Sequence, residues 1–341
     1  MITSQAEKAA LAPIAEPDRR ANSFDLLRLL AAAAVIYHHV FAIRRDEIPH
    51  LGYMDFGELG VGIFFAISGY LVTSSWRRAP QARAFFLKRA LRIFPGLIAS
   101  LILTVLVLSS FSTLGHAAYF SSQETLLYIV RNALLYPVTY ELPGVFDRND
   151  LPGVVNGSLW TLRLEFTFYI GIAALGLIGA LRASTTIALM FVSAVVAIAL
   201  YVVWPDLSGG GLLRLLALTC VFGFIFISGA WMSISGFEAK WWMAGISLAL
   251  LFTPLWFLAL PVLAIYLGKF NSPALPADIS YGLYIYAFPI QQILSTNGSL
   301  NIWTSLALTV PIAVLSWFFV ERPALAFKPS PKVDLREHLS A

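Results

Sequence analysis

An arginine and a histidine lie on the first apolar segment of the chain, at a spacing that suits a single elongated ligand. Arg28 begins and His39 ends the stretch RLLAAAAVIYHH. In an α-helix, the two side chains would lie about 16–17 Å apart along the axis and about 20° apart around it. Ionisable groups are costly at membrane depth, so this pattern favours a polar path or pocket over a lipid-facing surface. The spacing suits a ligand whose anionic end is held at Arg28 while its reactive end reaches His39.

A carboxylate in a later apolar segment is a candidate partner for this histidine. Glu165 follows NGSLWTLRL and would lie about two helical turns inside the bundle, at a depth similar to that of His39. A carboxylate beside an imidazole stabilises the imidazolium and fixes the tautomer, which suits a general base. The simpler alternatives are an ion pair between Glu165 and an arginine on another helix, a packing role for His39 and an anchoring role for Arg28.

Two further arginines could hold phosphate groups at a membrane surface. Arg89 and Arg92 are three residues apart, so they share one face of a helix. Guanidinium groups bind phosphate bidentately, and such a pair would suit a polyphosphate ligand. Cytoplasmic loops also collect arginine and lysine to set orientation, which is the alternative explanation.

Small residues and tyrosines allow two interpretations each. The segment 60–73, GVGIFFAISGYLVT, predicts either close helix packing or backbone room beside a narrow ligand, with Ser68 facing that ligand. Tyr281 and Tyr284 could form an interfacial aromatic belt or the wall of a ligand tunnel.

The composition indicates a helical membrane protein. Of 341 residues, 58% are hydrophobic and 12% are charged, about half the charged fraction of a soluble domain. The net charge of +4 is explained by loop lysines and arginines and does not suggest nucleic acid. The single cysteine, Cys220, rules out an intrachain disulfide, and the sequence has no metal-site pattern.

Hydropathy and charge predict an all-α fold, a polytopic transmembrane helical bundle of about ten spans. The segment 241–268 contains Pro254 and Pro261 and could form one tilted span or two short ones. Lysine and arginine before the first span, in the second loop and after the last span favour cytoplasmic termini, which requires an even number of spans and two in this segment. The other predicted spans are 24–43, 57–76, 86–109, 158–180, 184–204, 212–233, 279–296 and 302–321.

This topology defines the remaining segments. We expect a cytoplasmic tail over 1–22, a membrane domain over 23–325 and a cytoplasmic tail over 326–341, with no separate soluble domain. The first span would serve as an uncleaved insertion signal. Residues 110–157 would form one external segment, in which 124–138 lies along the outer surface because it is short and contains Arg131.

From about residue 23 to 323 the chain resembles acyltransferase family 3, the integral-membrane O-acyltransferases that modify bacterial surface carbohydrates. Several weak motifs occur in the order and spacing of that family. They are the arginine and histidine separated by ten residues, the glycine-rich second span, the paired arginines, the acid-bearing segment 156–165, and the closing motifs DISYGLY and FVERP. Two positions depart from the family pattern: Gly62 stands where an acidic residue is common, and Ala287 precedes Phe-Pro where a histidine is frequent.

The resemblance implies a catalytic His39 supported by Glu165 and a donor, acyl-CoA, held through the paired arginines. Together with the residue patterns, it predicts that acyl-CoA, most simply acetyl-CoA, lies along Arg28, Ser68 and the two tyrosines without a metal. The acceptor would be a saccharide or glycolipid hydroxyl reached from outside the bacterial inner membrane. Direct transfer is preferred to an acyl-histidine, and both monomers and homo-oligomers are compatible with the sequence.

Two other functions remain open from the sequence. A transporter could use Arg28, His39 and Glu165 as a polar relay across the membrane. A non-catalytic scaffold could retain the fold, although a scaffold has no need for these ionisable groups at depth.

Overall fold

The computed structural model describes residues 22–203, 211–273 and 275–329, which form a bundle of α-helices. Most of the two predicted tails, including Arg19, Arg20, Lys332 and Arg336, lies outside the described residues. The helices are α1 (Phe24–Arg44), α2 (Phe56–Arg78), α3 (Ala82–Leu108), α4 (His116–Ser121), α5 (Gln123–Leu134), α6 (Leu159–Leu177), α7 (Ala183–Val203), α8 (Gly211–Ser235), α9 (Trp241–Leu250), α10 (Trp256–Gly268), α11 (Ser280–Thr296), α12 (Ile302–Ser316) and α13 (Arg322–Ala326), with a π-helical turn at Trp317–Glu321 between the last two.

Each of the eight predicted spans outside 241–268 coincides with a helix. Among the described residues, six helical segments are long and apolar enough to cross a bilayer: α1, α2, α3, α7, α8 and the continuous segment Ile302–Ala326. The helices α6, α9, α10 and α11 are shorter or more polar, so the total of ten spans remains a prediction. Large apolar side chains on outward faces, such as Leu106 at 55% and Phe191 at 69% exposure, suit contact with lipid.

The segment 241–268 forms two helices rather than one. The break between α9 and α10 contains Pro254, which lacks a backbone N–H and disfavours helix in the residue before it. At one end of α10 the backbone of Phe252 packs against Gly52 in the loop after α1. At the other end, the N–H of Ser23 donates to the carbonyl of Gly268 (3.1 Å). The helix α10 therefore runs from the loop after α1 back to the start of α1.

Helix α2 lies at the centre of the bundle and packs against α1, α6, α8 and α10. Glycine permits these close approaches, because a Cβ added at Gly60 would come within 2.4 Å of the Ala31 carbonyl oxygen. A Cβ at Gly69 would come within 1.9 Å of the Phe226 carbonyl oxygen. The glycines of this segment therefore serve close helix packing, one of the two interpretations of the sequence.

A short hairpin precedes α2 and was not anticipated by the all-α prediction. Strands β1 (His50–Leu51) and β2 (Met54–Asp55) pair antiparallel around a turn in which Gly52 has φ +66°. The hairpin delivers Asp55 to the N-cap of α2, where its carboxylate accepts from the N–H of Glu58 (2.8 Å). The side chain of Glu58 accepts in return from the N–H of Asp55 (3.1 Å), which completes a capping box.

Helix α5, which has 12 residues, covers most of the segment 124–138. A helix of this length spans about 18 Å and is too short to cross the hydrocarbon core. Its packing against α3 is compatible with the expected position at a bundle surface.

The glycine packing between α2 and α8 predicts a specific loss of stability. Gly69→Ala should destabilise the fold by about 1–3 kcal/mol, because its methyl group would overlap the Phe226 carbonyl. Gly171→Ala on α6 is the matched control, since nothing lies within 4 Å of its added Cβ. Thermal unfolding of the purified protein in detergent should show a lower Tm for Gly69→Ala alone. Equal Tm values for the two variants would contradict the packing described.

Candidate active site

A cavity of about 810 Å³ opens among α1, α2, α3, α6 and α11, and we call it the arginine pocket. It brings together seven of the eight site residues predicted from the sequence; His39 lies elsewhere. The predicted residues that line this pocket are Arg28, Ser68, Arg89, Arg92, Glu165, Tyr281 and Tyr284.

Two of the three arginines in this pocket share a partly buried carboxylate that was not predicted from the sequence. Asp278, just before α11, lies 2.7 Å from Nη2 of Arg92 and 3.5 Å from Nη1 of Arg28. Burial by itself would raise the pKa of Asp278, but these two guanidinium groups and the Ser280 hydroxyl hold it at about 2. Arg28 also pairs with Asp25 on its own helix at 2.7 Å. The positive charge at this end of the bundle is therefore partly balanced inside the protein.

Arg89 is held differently from the other two arginines. Its guanidinium lies 6.0 Å from the ring centroid of Tyr169, a cation–π distance. Its Nε is buried and has no hydrogen-bond partner among the described residues. A buried donor without a partner is costly. Arg89 is therefore the arginine in this pocket best prepared to bind an anionic ligand.

Glu165 belongs to the arginine pocket and is hydrogen-bonded there. Its Oε1 accepts from the hydroxyl of Ser68 (2.6 Å) and from the hydroxyl of Tyr169. Tyr169 in turn stacks under Arg89, so the carboxylate is joined to the arginine through the tyrosine ring.

The predicted contact between Glu165 and His39 is not formed among the described residues. The reason is that the two side chains lie at different depths along the bundle. The ring of His38, next to His39, packs against Gly57 at the start of α2, whereas Glu165 bonds Ser68 on the same helix. These two positions on α2 are eleven residues apart, or about 16–17 Å. The equal depth inferred for the two groups was therefore wrong.

The two predicted tyrosines form a cavity wall rather than an aromatic belt. Both are buried, and both line the arginine pocket. The hydroxyl of Tyr281 donates to the carbonyl of Ile93 (2.8 Å). The hydroxyl of Tyr284 lies 2.5 Å from that of Thr161 and donates to the carbonyl of Ser158 (3.2 Å). These bonds fix the rings between α3, α6 and α11.

His39 lines a second cavity of about 1320 Å³, which we call the histidine pocket. This pocket shares Val61 and Tyr284 with the arginine pocket, so these two side chains stand between the cavities. Its polar and aromatic lining includes His38, Asp55, Glu58, Tyr140, Ser158, Trp160, Arg163 and Arg214.

The two histidines of this pocket have different surroundings. The Nδ1 of His39 is buried without a hydrogen-bond partner among the described residues, and its ring packs edge-on against Phe288 with centroids 4.9 Å apart. The Nδ1 of His38 lies 3.1 Å from Oδ1 of Asp55, an ion-pair contact that lacks hydrogen-bond alignment. The carboxylate next to the histidines is therefore Asp55.

Several features of these pockets could have been inferred from the sequence. The pattern Asp55-x-x-Glu58 before an apolar run is a capping-box signature that places two carboxylates at one helix start. Arg163 is two residues before Glu165, about 200° away around α6, and it lines the histidine pocket while Glu165 lines the other. At Gly62, where the family often has an acid, an added Cβ would come within 2.4 Å of Leu260 Cδ2. Close packing of α10 therefore occupies that position.

Because two arginines share the carboxylate of Asp278, its loss should destabilise the fold more than the loss of a more exposed carboxylate nearby. Asp278→Asn should cost about 3–5 kcal/mol, because it leaves two partly buried guanidinium groups without their counter-charge. Asp25→Asn is the matched control, since Asp25 is 39% exposed, against 12% for Asp278, and its loss should cost at most about 1 kcal/mol.

Thermal unfolding at pH 7 should separate these variants by several degrees. Because the folded pKa of Asp278 is about 2, the wild-type advantage should persist at neutral pH and decline only as the pH falls toward that value. Equal Tm values for the two variants would contradict the role given to Asp278.

Comparison with known proteins identifies similar acyltransferases. The sequence model described as an acyltransferase domain matches residues 21–277. An O-acetyl transferase of Shigella phage Sf6 is 32% identical over 93% of this chain and 99% of its own length. Nodulation protein 10 of Rhizobium leguminosarum bv. viciae is 32% identical over 91% of this chain and 94% of its own length. A peptidoglycan O-acetyltransferase of Listeria monocytogenes is 28% identical over 43% of this chain and 23% of its own length.

No solved structure matches the chain significantly. The family model covers most of the sequence, and two relatives align over nearly their whole length. The chain therefore belongs to acyltransferase family 3 and is a multi-pass membrane acyltransferase.

Proposed function

We propose that this protein is a membrane O-acetyltransferase that moves an acetyl group from acetyl-CoA to a hydroxyl of a saccharide. The observation that carries the proposal is the pair of adjoining cavities along α1, one with three arginines and the other with His39. Two relatives are named as O-acetyl transferases, one from a Shigella phage and one acting on peptidoglycan, which supports the acyl group and the carbohydrate acceptor.

The donor would be bound with its phosphates in the arginine pocket. Arg89 offers a buried donor, and Arg28 and Arg92 line the same cavity. Because Asp278 already pairs with two of these arginines, the phosphates would compete with it or share its partners. The pantetheine arm would then pass Tyr284, which stands between the two pockets.

The transfer step would take place in the histidine pocket. His39 would accept the proton of the acceptor hydroxyl, whose oxygen attacks the thioester carbonyl. The new C–O bond forms as the C–S bond breaks, and the CoA thiolate leaves and takes up the proton from the imidazolium. The acyl group would pass directly to the acceptor, with no group bound to the enzyme in between.

The acceptor would enter from the end of the bundle that holds His39. Trp160 and Tyr140 present aromatic surfaces in the histidine pocket, and Glu58 and Arg163 present hydrogen-bonding groups. This combination suits a saccharide, whose hydroxyls need polar partners and whose ring faces stack on aromatic rings. A lipid-linked saccharide or a polymer would reach this pocket from outside the cell membrane.

We propose ten crossings in the bacterial inner membrane, with both termini in the cytoplasm. The connections of α10 to the loop after α1 and to the start of α1 support a crossing by this helix and therefore by α9 before it. Arg77 and Arg78 end α2 and Arg83 lies in the first turn of α3, the helix that also carries Arg89 and Arg92, and this positive charge favours the cytoplasm for that end. A relay for transport through Glu165 is less favoured, because no contact among the described residues joins it to His39.

The activity itself is tested with purified protein in lipid nanodiscs, labelled acetyl-CoA and a panel of bacterial surface saccharides. Wild-type protein should yield labelled saccharide, and His39→Ala should lower the rate by at least about 10²-fold, the usual contribution of a general base. His116→Ala, at an exposed position, is the matched control. Absence of transfer to every saccharide, or full activity in a correctly folded His39→Ala variant, would overturn the proposal.

The donor site predicts a specific defect in affinity. Arg89→Gln should raise the KM for acetyl-CoA about tenfold or more, because a charge-assisted hydrogen bond contributes about 1.5–3 kcal/mol. The kcat at saturating donor should change less. Arg83→Gln removes the same charge from an exposed position on the same helix and should leave the KM unchanged. An unchanged KM in Arg89→Gln would remove this arginine from the donor site.

A further inference from the structure

The histidine pocket contains a carboxylate that can take the supporting role predicted for Glu165 beside His39. Asp55 and Glu58 both line the cavity that contains His39, whereas Glu165 lines the other one. Of the two acids in this pocket, Asp55 is the one in contact with a histidine, at 3.1 Å from Nδ1 of His38.

His38 connects this carboxylate to His39. The two imidazole rings are edge-on, with centroids 5.5 Å apart and planes at 66°. On its other side the ring of His38 packs against Gly57, where an added Cβ would come within 2.8 Å of His38 Cγ. His38 is therefore confined between Asp55, the backbone of α2 and the ring of His39.

Asp55 is itself held in place before any ligand binds. The hairpin β1–β2 leads into it, and the capping box with Glu58 fixes both its carboxylate and its backbone N–H. The side chains of Asp55 and His38 are 19% and 18% exposed, so their charges are only partly screened by water. A fixed charge in a partly dry site costs little reorganisation during a reaction.

We infer that Asp55, acting through His38, is the carboxylate that positions His39 and stabilises the positive charge that His39 acquires during acyl transfer. The inference rests on the proposed function and assigns to Asp55 the part that the sequence suggested for Glu165. Asp55 and His38 are positioning residues, because His39 is the group that takes the proton from the acceptor. Glu165, which bonds Ser68 and Tyr169, belongs instead to the donor end.

Among the charged and titratable groups around His39, Asp55 is the carboxylate in contact with a histidine. Helices α10 and α12, which also pack against α1, carry no charged residue. The groups that line the pocket with His39 are His38 from its own helix, Asp55 and Glu58 from the start of α2, Tyr140 and Arg163 from the segment before α6 and from α6, Arg214 from α8, and Tyr284 from α11.

The test compares Asp55→Asn with the wild-type protein in acetyl transfer as a function of pH, at saturating donor and acceptor. Asparagine is as good an N-cap as aspartate, so this variant removes the charge and keeps the start of α2. We expect kcat to fall at least about tenfold. The acid limb of the kcat profile should also move to lower pH by about one unit, because loss of the carboxylate destabilises the imidazolium. A defect in folding alone would lower the amount of active protein and leave that limb in place.

Two further variants complete the test. Asp46→Asn removes a carboxylate at the same end of α1 that is 46% exposed and paired with Arg44, and it should leave the profile unchanged. Glu165→Gln should raise the KM for acetyl-CoA without moving the acid limb.

The outcomes separate this inference from the proposed function. A wild-type protein without acetyl transfer activity would refute the proposed function. Active wild-type protein with an unshifted acid limb in Asp55→Asn, or a shifted limb in Glu165→Gln, would refute the inference. Loss of activity in His38→Gln with full activity in His39→Gln would make His38 the base, and it would refute both the inference and the role that the proposed function gives to His39.

Discussion

The balance of positive charge inside an apolar bundle is the constraint on which the arrangement of this protein depends. Three guanidinium groups line one cavity, and an isolated charge there would cost several kcal/mol to bury. The three guanidinium groups are neutralised to different extents. Asp278 neutralises part of the charge of Arg28 and Arg92, whereas Arg89 has the ring of Tyr169 and a buried Nε without a partner. The incomplete neutralisation leaves the cavity suited to an anion.

Helix α1 relates this cavity to the second one. Its arginine and its histidine lie at opposite ends of one face, and the two pockets along it share the side chains of Val61 and Tyr284. A cofactor with phosphates at one end and a thioester at the other matches this geometry. In the proposed function, this arrangement would keep the anionic end of the donor apart from the histidine pocket.

The sequence predicted the helices and the arginine pocket well, and the surroundings of the histidine poorly. Hydropathy located the helices, and helical periodicity was enough to relate Arg28 to His39 on α1 and to separate Arg163 from Glu165 on α6. The depth of Glu165 was wrong because it depends on how α6 is shifted along α2, which no local pattern specifies. Asp55 and Asp278 were missed as site residues because they lie before helices, where a hairpin and a loop bring them to side chains remote in the sequence.

The central claim is that one donor molecule extends from the arginine pocket past Tyr284 to His39. The most direct measurement is a cryo-EM structure of the protein in nanodiscs with an acetyl-CoA analogue in which a methylene group replaces the thioester sulfur. The account predicts phosphate density against Arg89 and the acetyl carbonyl on the far side of Tyr284, beside the ring of His39. An analogue whose acetyl group remains in the arginine pocket, or whose phosphates bind away from Arg89, would contradict it.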